Sequence, residues 1–246
     1  MDRKKFLKGL GLVGMSIPTL HFLDACNTDN SDVETSENIA ETDVDISTDC
    51  ALTNSETQGP FPTKSPGSWQ RVDITGDRTG IGLDINLMIE NVNTECSPLA
   101  KAVVDVWHCD KDGNYSEYGG TGMQSTDYSS NHFLRGRQIS DEDGIVRFKS
   151  IFPGWYRGRA THIHVHIYNT PGTSLLVTQI AFPEGNDSAV TTVNQASSYG
   201  YTKGMSDYTY NSTDNVFSDG IENELCTITG SIEDGYELAH TIKVSA

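Results

Sequence analysis

Positively charged side chains are scarce in this sequence of 246 residues. It has 17 Lys and Arg against 34 Asp and Glu, so its formal net charge at pH 7 is −17. A protein that binds nucleic acid needs a basic surface to displace the counterions of the phosphates. The charge balance therefore argues against nucleic acid as a partner.

Long apolar segments and closely spaced cysteines are also missing. The longest apolar stretch, residues 9–23, has about 15 residues interrupted by Pro18, whereas a membrane-spanning helix needs roughly 20. This excludes a polytopic membrane protein. No Cys-x-x-Cys pair occurs, which disfavours a cysteine-rich metal site. Helix-forming residues are few, while 23 Gly and many Ser, Thr, Asp and Asn favour an all-β architecture with many turns.

Residues 1–25 have the pattern of an export signal peptide, with basic residues followed by an apolar stretch. Arg3 and Lys4 also resemble the twin-arginine export pattern, so the Sec and twin-arginine routes both stay open. Residues 23–26, Leu-Asp-Ala-Cys, look like a lipobox and make Cys26 a candidate lipid anchor to a membrane. We therefore expect an exported protein, either a lipoprotein facing the periplasm or cell surface or a secreted one.

Residues 26–49 are acidic and almost without large apolar side chains. This stretch has Asp and Glu throughout but neither Lys nor Arg. Such a segment cannot bury enough apolar surface to offset the entropy lost on ordering. We predict that residues 26–49 form a disordered tether and that residues 50–246 form one folded domain.

The cysteine content of that domain agrees with export. Its cysteines are Cys50, Cys96, Cys109 and Cys226. An even number of cysteines in an oxidising compartment favours disulfides. Four cysteines allow three connectivities, and the sequence leaves all three open.

Several short segments have the pattern of β-strands. Residues 83–89 and 162–168 alternate apolar and polar side chains, as half-buried strands do. Four further segments are apolar or β-branched and lie between turn signals: 102–107, 145–148, 175–182 and 237–244. The predicted fold is all-β, with a β-sandwich core and long loops, such as residues 118–131, that form the metal and substrate site.

Histidines and tyrosines are the residues that indicate chemistry. His162 and His164 are two apart on a predicted strand, so they share one face about 6.5 Å apart. Paired imidazoles are a common metal-binding arrangement. Tyr115 and Tyr156 each lie near the end of a predicted strand, and phenolate suits Fe(III), whereas zinc prefers Cys, His and carboxylate. Two tyrosines with two histidines would match ferric iron, although a role as rim aromatics stays open for the tyrosines.

Linked motifs in one order resemble the intradiol ring-cleavage dioxygenases, which include catechol and protocatechuate dioxygenases. The strongest is residues 151–164, Ile-Phe-Pro-Gly-Trp-Tyr-Arg-Gly-Arg-Ala-Thr-His-Ile-His. The others are residues 57–61, 104–116, 133–136 and 140–144. The resemblance covers about residues 50–220 and is closest to the secreted, single-chain branch of the family.

The resemblance implies a mononuclear non-haem Fe(III) site. The residues at the family's ligand positions are Tyr115, Tyr156, His162 and His164. Arg159 matches the arginine that stabilises negative charge on the ring, and Gln179 matches a residue near substrate and iron. Gly59 and Pro60 match a motif beside the substrate pocket. In the family's mechanism, the tyrosine that matches Tyr156 leaves the iron when the catechol binds and helps to take up a substrate proton.

The expected function is cleavage of a catechol-type aromatic diol by O₂ to a cis,cis-muconate-type diacid. The alternative is a non-catalytic β-sandwich binding module of a surface lipoprotein, like transthyretin-like and carboxypeptidase-regulatory-like domains. Such a module needs none of the residues Tyr115, Tyr156, Arg159, His162 and His164. A zinc or copper hydrolase is a third possibility, but a third histidine or a carboxylate at suitable spacing is missing.

Some positions depart from the family pattern. The bacterial enzymes usually have Arg-Pro-Ala before the first histidine, whereas this chain has Arg159, Ala160 and Thr161. His166 shares the face of His162 and His164, but we expect it to lie at the surface or behind the site rather than to bind metal. We expect His108 to pack rather than to catalyse.

Overall fold

The computed structural model describes residues 50–170 and 172–246. The predicted signal peptide (1–25), the acidic tether (26–49) and the candidate anchor Cys26 lie outside the described residues. The described part is built from strands: β1 Gly82–Asn91, β2 Ser97–Pro98, β3 Val103–Trp107, β4 Arg135–Ile139, β5 Ile145–Ile151, β6 His162–Tyr168, β7 Ser174–Ala181, β8 Thr227–Ser231 and β9 Gly235–Val244.

Helical structure is limited to short segments. The α-helix α1 spans Ala189–Asn194, and 3₁₀ turns occur at Pro66–Trp69, Val92–Thr94, Ser197–Tyr199 and Asn211–Thr213. Ser188 caps α1 by accepting a hydrogen bond from the Thr191 backbone N–H. Within residues 50–170 and 172–246, none of the helices has the length and apolarity to cross a membrane.

The strands form two sheets. In the first, the strand order is β2-β1-β9-β8. Strand β5 pairs with the same edge of β1 as β2 does. Strands β1 and β9 run parallel. The second sheet has the order β4-β3-β6-β7, and all of its neighbours are antiparallel. The prediction of an all-β sandwich is confirmed.

The core lies between the two sheets because each contributes one apolar face. Ile85 and Leu87 of β1 belong to the same buried cluster as Val104 of β3 and Ile163 and Val165 of β6, and all five are fully buried. At roughly 25 cal/mol per Å² of apolar surface, burial of these side chains stabilises the sandwich by about 1.5–3 kcal/mol each. The side chains on the opposite face of the second sheet are therefore not needed for the core and can be polar.

All six predicted strands are present, β6 with the predicted bounds and the others with somewhat different ones, but the short β2 as well as β4 and β8 are missing from the prediction. β4 carries Arg135 and Arg137, which normally argue against a buried strand. They are tolerated because each has an acidic partner, Glu117 for Arg135 and Asp105 for Arg137. β8 is an edge strand with the sequence Thr-Ile-Thr-Gly-Ser and little apolar content.

The cysteines form one disulfide among the described residues. Cys50 is bonded to Cys96, which closes a sequence separation of 46 residues. Cys109 and Cys226 are buried thiols, so the expectation of paired cysteines is wrong for these two. They cannot meet because Cys109 packs in an aromatic cluster with Phe61 and Tyr115, whereas Cys226 packs in the core between the sheets. Burial raises the pKa of Cys109 to about 12, so its thiol stays protonated.

His108 follows β3 and is buried with both ring nitrogens in hydrogen bonds. Its Nδ1 lies 2.8 Å from the Cys109 carbonyl oxygen and its Nε2 lies 2.7 Å from Ser150 Oγ. Burial lowers the pKa of His108 to about 4, so the ring is neutral at pH 7. The side chain packs inside the fold, as expected.

The pKa of His108 predicts a loss of stability in mild acid. The unfolded chain binds a proton at this residue below about pH 6.5, but the folded chain does so only below about pH 4. The free energy of unfolding should therefore fall with decreasing pH by about 1.4 kcal/mol per unit across this window. Urea denaturation between pH 7 and 4 should show a shallower fall for His108→Gln. Equal pH slopes in the two proteins would contradict the prediction.

Candidate metal and substrate site

The candidate site lies on the face of β6 that points away from the sandwich core. Ile163 and Val165 enter the core, so the alternating His162, His164 and His166 occupy the other face. In the sheet register, His164 lies between Trp107 of β3 and Gln179 of β7. The antiparallel pairing thus gathers residues from three strands at one place.

His162 and His164 point their Nε2 atoms at each other, 3.1 Å apart. His162 Nδ1 lies 2.7 Å from the Ala160 carbonyl oxygen, which requires the proton on Nδ1 and leaves a lone pair on Nε2. The His164 ring stacks on Trp107 at a centroid distance of 4.9 Å and an interplanar angle of 2°. Both rings are held so that their Nε2 atoms can contact one ion.

Burial keeps both imidazoles neutral. It is the largest cause that lowers the pKa of His162 to about 3 and that of His164 well below its ordinary value. The nearby Arg159 guanidinium acts in the same direction on both. Neutral imidazole is the form that binds metals, so the pair suits a cation far better than a proton.

Tyr115 brings a third donor to this pair. Its hydroxyl oxygen lies 3.1 Å from His162 Nε2, and the side chain is buried. Burial raises the pKa of Tyr115 well above its ordinary value, so the phenol stays protonated unless a cation is near. Gln124 holds the backbone of Tyr115 from both sides, accepting from its N–H at 2.7 Å and donating to its carbonyl at 2.8 Å.

Tyr156 lies beside the cluster with its hydroxyl turned away. Its ring is 6.1 Å from that of Tyr115 and 5.4 Å from that of Phe61. Its hydroxyl donates to the Met123 carbonyl at 2.8 Å. The structure therefore brings Tyr115, His162 and His164 into direct contact and leaves Tyr156 next to them, so that the role of Tyr156 as a ligand stays a prediction.

The segment 57–61 covers the site from the other side. Gly59 has a φ of +65°, and a Cβ there would lie 3.1 Å from His164 Cε1. Pro60 is exposed, and Phe61 stacks on Tyr115 at a centroid distance of 4.8 Å. The Gly-Pro-Phe sequence thus lets the backbone pass close to His164 and lays an aromatic ring on Tyr115.

Arg159 and Gln179 are hydrogen-bonded to each other. Arg159 Nη2 donates to Gln179 Oε1 at 2.6 Å, and Gln179 Nε2 donates to the Thr57 carbonyl at 2.8 Å. Gln179 is fully buried, and its Cα pairs with that of His164 across the sheet. All the sequence-predicted site residues therefore lie in one region of the fold.

Three supporting residues escaped the sequence analysis: Gln124, Arg135 and Asp214. Arg135 is buried and donates to the carbonyl oxygens of Phe61 and Ser116 at 2.9 and 2.6 Å, which ties the two loops of the site together. Asp214 accepts from Arg159 Nε. The signal for Arg135 was its place in the Phe-Leu-Arg-Gly motif, but its partner Phe61 and the Arg159 partner of Asp214 come from distant segments, whereas Gln124 bonds within its own loop.

His166 belongs to a separate hydrogen-bonded group. Its Nδ1 lies 2.8 Å from Tyr168 Oη and its Nε2 lies 2.8 Å from Ser174 Oγ, so both nitrogens are engaged. In the described ranges there is no group of three or more His, Cys, Asp and Glu residues that could hold a metal ion. A metal at this site would therefore need tyrosine donors, which disfavours a zinc hydrolase.

Comparison with known proteins agrees with this geometry. A family model described as a dioxygenase matches residues 59–214. The structure is similar to an intradiol ring-cleavage dioxygenase from Tetranychus urticae, with 28% identity and a TM-score of 0.69 over 80% of this chain and 95% of that one. This chain belongs to the intradiol ring-cleavage dioxygenase family.

Other relatives match over a smaller share of their own length. A chlorocatechol 1,2-dioxygenase from Rhodococcus opacus is 31% identical in an alignment of 157 residues that covers 53% of this chain and 56% of the relative. The chain thus matches little more than half the length of that curated relative. A solved 3-chlorocatechol 1,2-dioxygenase from Rhodococcus opacus 1CP shares the fold, with a TM-score of 0.52 and 20% identity over 78% of this chain and 72% of that one.

Gly59 offers a test of how tightly the 57–61 segment covers His164. Gly59→Ala and Gly204→Ala both place alanine at a φ near +65°, which costs roughly 1 kcal/mol. Only Gly59→Ala also presses on a ring, since a Cβ at Gly204 meets nothing within 4 Å. Urea denaturation should therefore show a further loss of about 1 kcal/mol for Gly59→Ala. Equal losses in the two variants would refute the close approach.

Proposed function

We propose that this chain is an Fe(III)-dependent intradiol dioxygenase that cleaves a catechol-type aromatic diol with O₂ to a cis,cis-muconate-type diacid. The observation that carries the proposal is the buried contact of Tyr115 Oη with His162 Nε2, which in turn faces His164 Nε2. The named activity of the chlorocatechol 1,2-dioxygenase relative supports the substrate class. A non-catalytic binding module has no use for these buried donors.

The donor set fits a ferric ion. His162 Nε2 has a free lone pair because its Nδ1 proton is held by the Ala160 carbonyl, His164 Nε2 faces it at 3.1 Å, and burial keeps both rings in the neutral form that binds metals. A trivalent cation would also overcome the raised pKa of Tyr115. The residues that would hold iron are Tyr115, Tyr156, His162 and His164. When bound, iron would draw electron density from a coordinated catechol and make its ring reactive toward O₂.

Tyr156 is suited to accept a proton from the substrate. A catechol would lose two protons to bind as a dianion, and Tyr156, if it held the iron as a phenolate, would be a base close enough to accept one of them. The resulting hydroxyl has an acceptor ready, because it donates to the Met123 carbonyl at 2.8 Å. Tyr156 would thus hold the accepted proton on a hydroxyl that the Met123 carbonyl fixes.

Arg159 and Gln179 would act on charge that develops in the substrate. The Arg159 side chain is 13% exposed and carries a positively charged guanidinium. A fixed positive group in a site with little water stabilises negative charge on the ring more strongly than it would in water. Phe61 and Tyr115 form an aromatic wall that fits a planar ring and keeps water from the cluster.

Export is a further part of the proposal. We infer that the protein acts outside the cytoplasm, as a lipoprotein anchored through Cys26 or as a secreted enzyme. The Cys50–Cys96 disulfide supports this, since disulfides persist in oxidising compartments. The Sec and twin-arginine routes both stay open.

The ligand assignment predicts the colour and the metal content of the protein. Wild-type protein reconstituted with iron should bind one ferric ion and show a broad visible tyrosinate-to-iron band. His162→Ala should lose the iron, whereas the matched change His166→Gln should keep it, because His166 is engaged by Ser174 and Tyr168. Iron analysis and visible spectroscopy measure both. Full iron content in His162→Ala, or a colourless wild type, would rule out the assignment.

Tyr156→Phe tests the proton-accepting role. This variant should retain iron through the remaining donors, shift the visible band and lower kcat by about 10²- to 10⁴-fold, the usual contribution of a positioned acid or base. Tyr210→Phe alters an exposed tyrosine and serves as the control with wild-type kcat. Oxygen uptake with catechol measures turnover. Wild-type kcat in Tyr156→Phe would contradict the role.

A further inference from the structure

Asp214 is a buried carboxylate at the start of a hydrogen-bond chain that enters the site. It follows the turn Asn211–Thr213 and is 2% exposed. Its two oxygens accept from Arg159 Nε at 2.9 and 2.8 Å. The same carboxylate accepts from the backbone N–H of Ala160 at 2.8 Å and of Val216 at 2.9 Å.

The contact at Nε decides where the rest of the guanidinium points. Arg159 Nη2 is directed to Gln179 Oε1 at 2.6 Å, and Gln179 is in turn fixed by the Thr57 carbonyl. Nη1 takes no part in these two contacts. A planar guanidinium held at two of its three nitrogens has no freedom to rotate.

The N–H of Ala160 links this carboxylate to the histidine pair. Ala160 donates to Asp214 and, through its carbonyl, accepts from His162 Nδ1 at 2.7 Å. Where the related bacterial enzymes usually carry proline, alanine provides the N–H that proline lacks. The carboxylate therefore supports both Arg159 and the residue that sets the tautomer of His162.

We propose that Asp214 is the positioning residue for Arg159 and that it acts on turnover through that arginine. The inference rests on the proposed dioxygenase function and deepens it. The carboxylate pairs with Nε, which offsets the cost of burying the guanidinium and fixes its orientation toward the substrate. A misplaced guanidinium would still let a catechol bind but would stabilise the charge developing on its ring less well.

The test is a double-mutant cycle in the iron-loaded enzyme with catechol. Asp214→Asn keeps the shape but removes the charge, and it should lower kcat by about 10- to 100-fold while KM changes less than about threefold. Iron content should equal that of the wild type. In an Arg159→Ala background, adding Asp214→Asn should change kcat less than about twofold. Asp207→Asn, an exposed neighbour, is the matched control and should leave kcat unchanged.

Thermal unfolding of the iron-free variants gives a readout that does not depend on activity. Arg159→Ala strands a buried carboxylate, so adding Asp214→Asn to it should raise the unfolding midpoint, although Asp214→Asn alone lowers it. Wild-type kcat in Asp214→Asn, or an equal loss of kcat with and without Arg159, would overturn the positioning role. An inactive wild-type enzyme whose unfolding midpoints still show this coupling would instead overturn the proposed function.

Discussion

The site depends on the alternation of side chains along β6. The strand must present Ile163, Val165 and Ile167 to the core, and the pleat then forces the intervening histidines onto the opposite face. The antiparallel neighbours place Trp107 and Gln179 beside His164 by the same rule. The hydrophobic core of the sandwich thus determines which face carries the candidate metal donors, because a shift of one residue in register would bury the imidazoles between the sheets.

The loops over this face are held by polar side chains rather than by sheet pairing. Gln124 grips the backbone of Tyr115, and Arg135 bonds the carbonyls of Phe61 and Ser116. Burying an arginine is costly, and burial lowers the pKa of Arg135 to about 10, yet it remains charged at neutral pH. These side chains hold the tyrosine and phenylalanine rings at fixed positions even though the surrounding loops have little regular structure.

Much of the fold and of the site could be predicted because both depend on short-range patterns. Period-two alternation located β1 and β6, and the spacing of His162 and His164 placed both on one face. The linked motifs then indicated the family that the comparisons show. β4 was missed because its arginines look like surface residues until Asp105 and Glu117 are brought beside them. Disulfides were expected for Cys109 and Cys226 because the number of cysteines in the domain is even. That expectation failed because an even number does not show which buried cluster each cysteine enters.

The sequence by itself determined the strand periods, the candidate donors and the acidic character of the chain. Only the tertiary structure decided that Tyr115 meets the histidine pair while the Tyr156 hydroxyl meets the Met123 carbonyl. It also decided that Asp214, 55 residues from Arg159, is its partner. The physical reason is that hydrogen bonds between loops far apart in sequence depend on how the two sheets pack and on where the later loops lie relative to the earlier ones. No local pattern of residues contains that information.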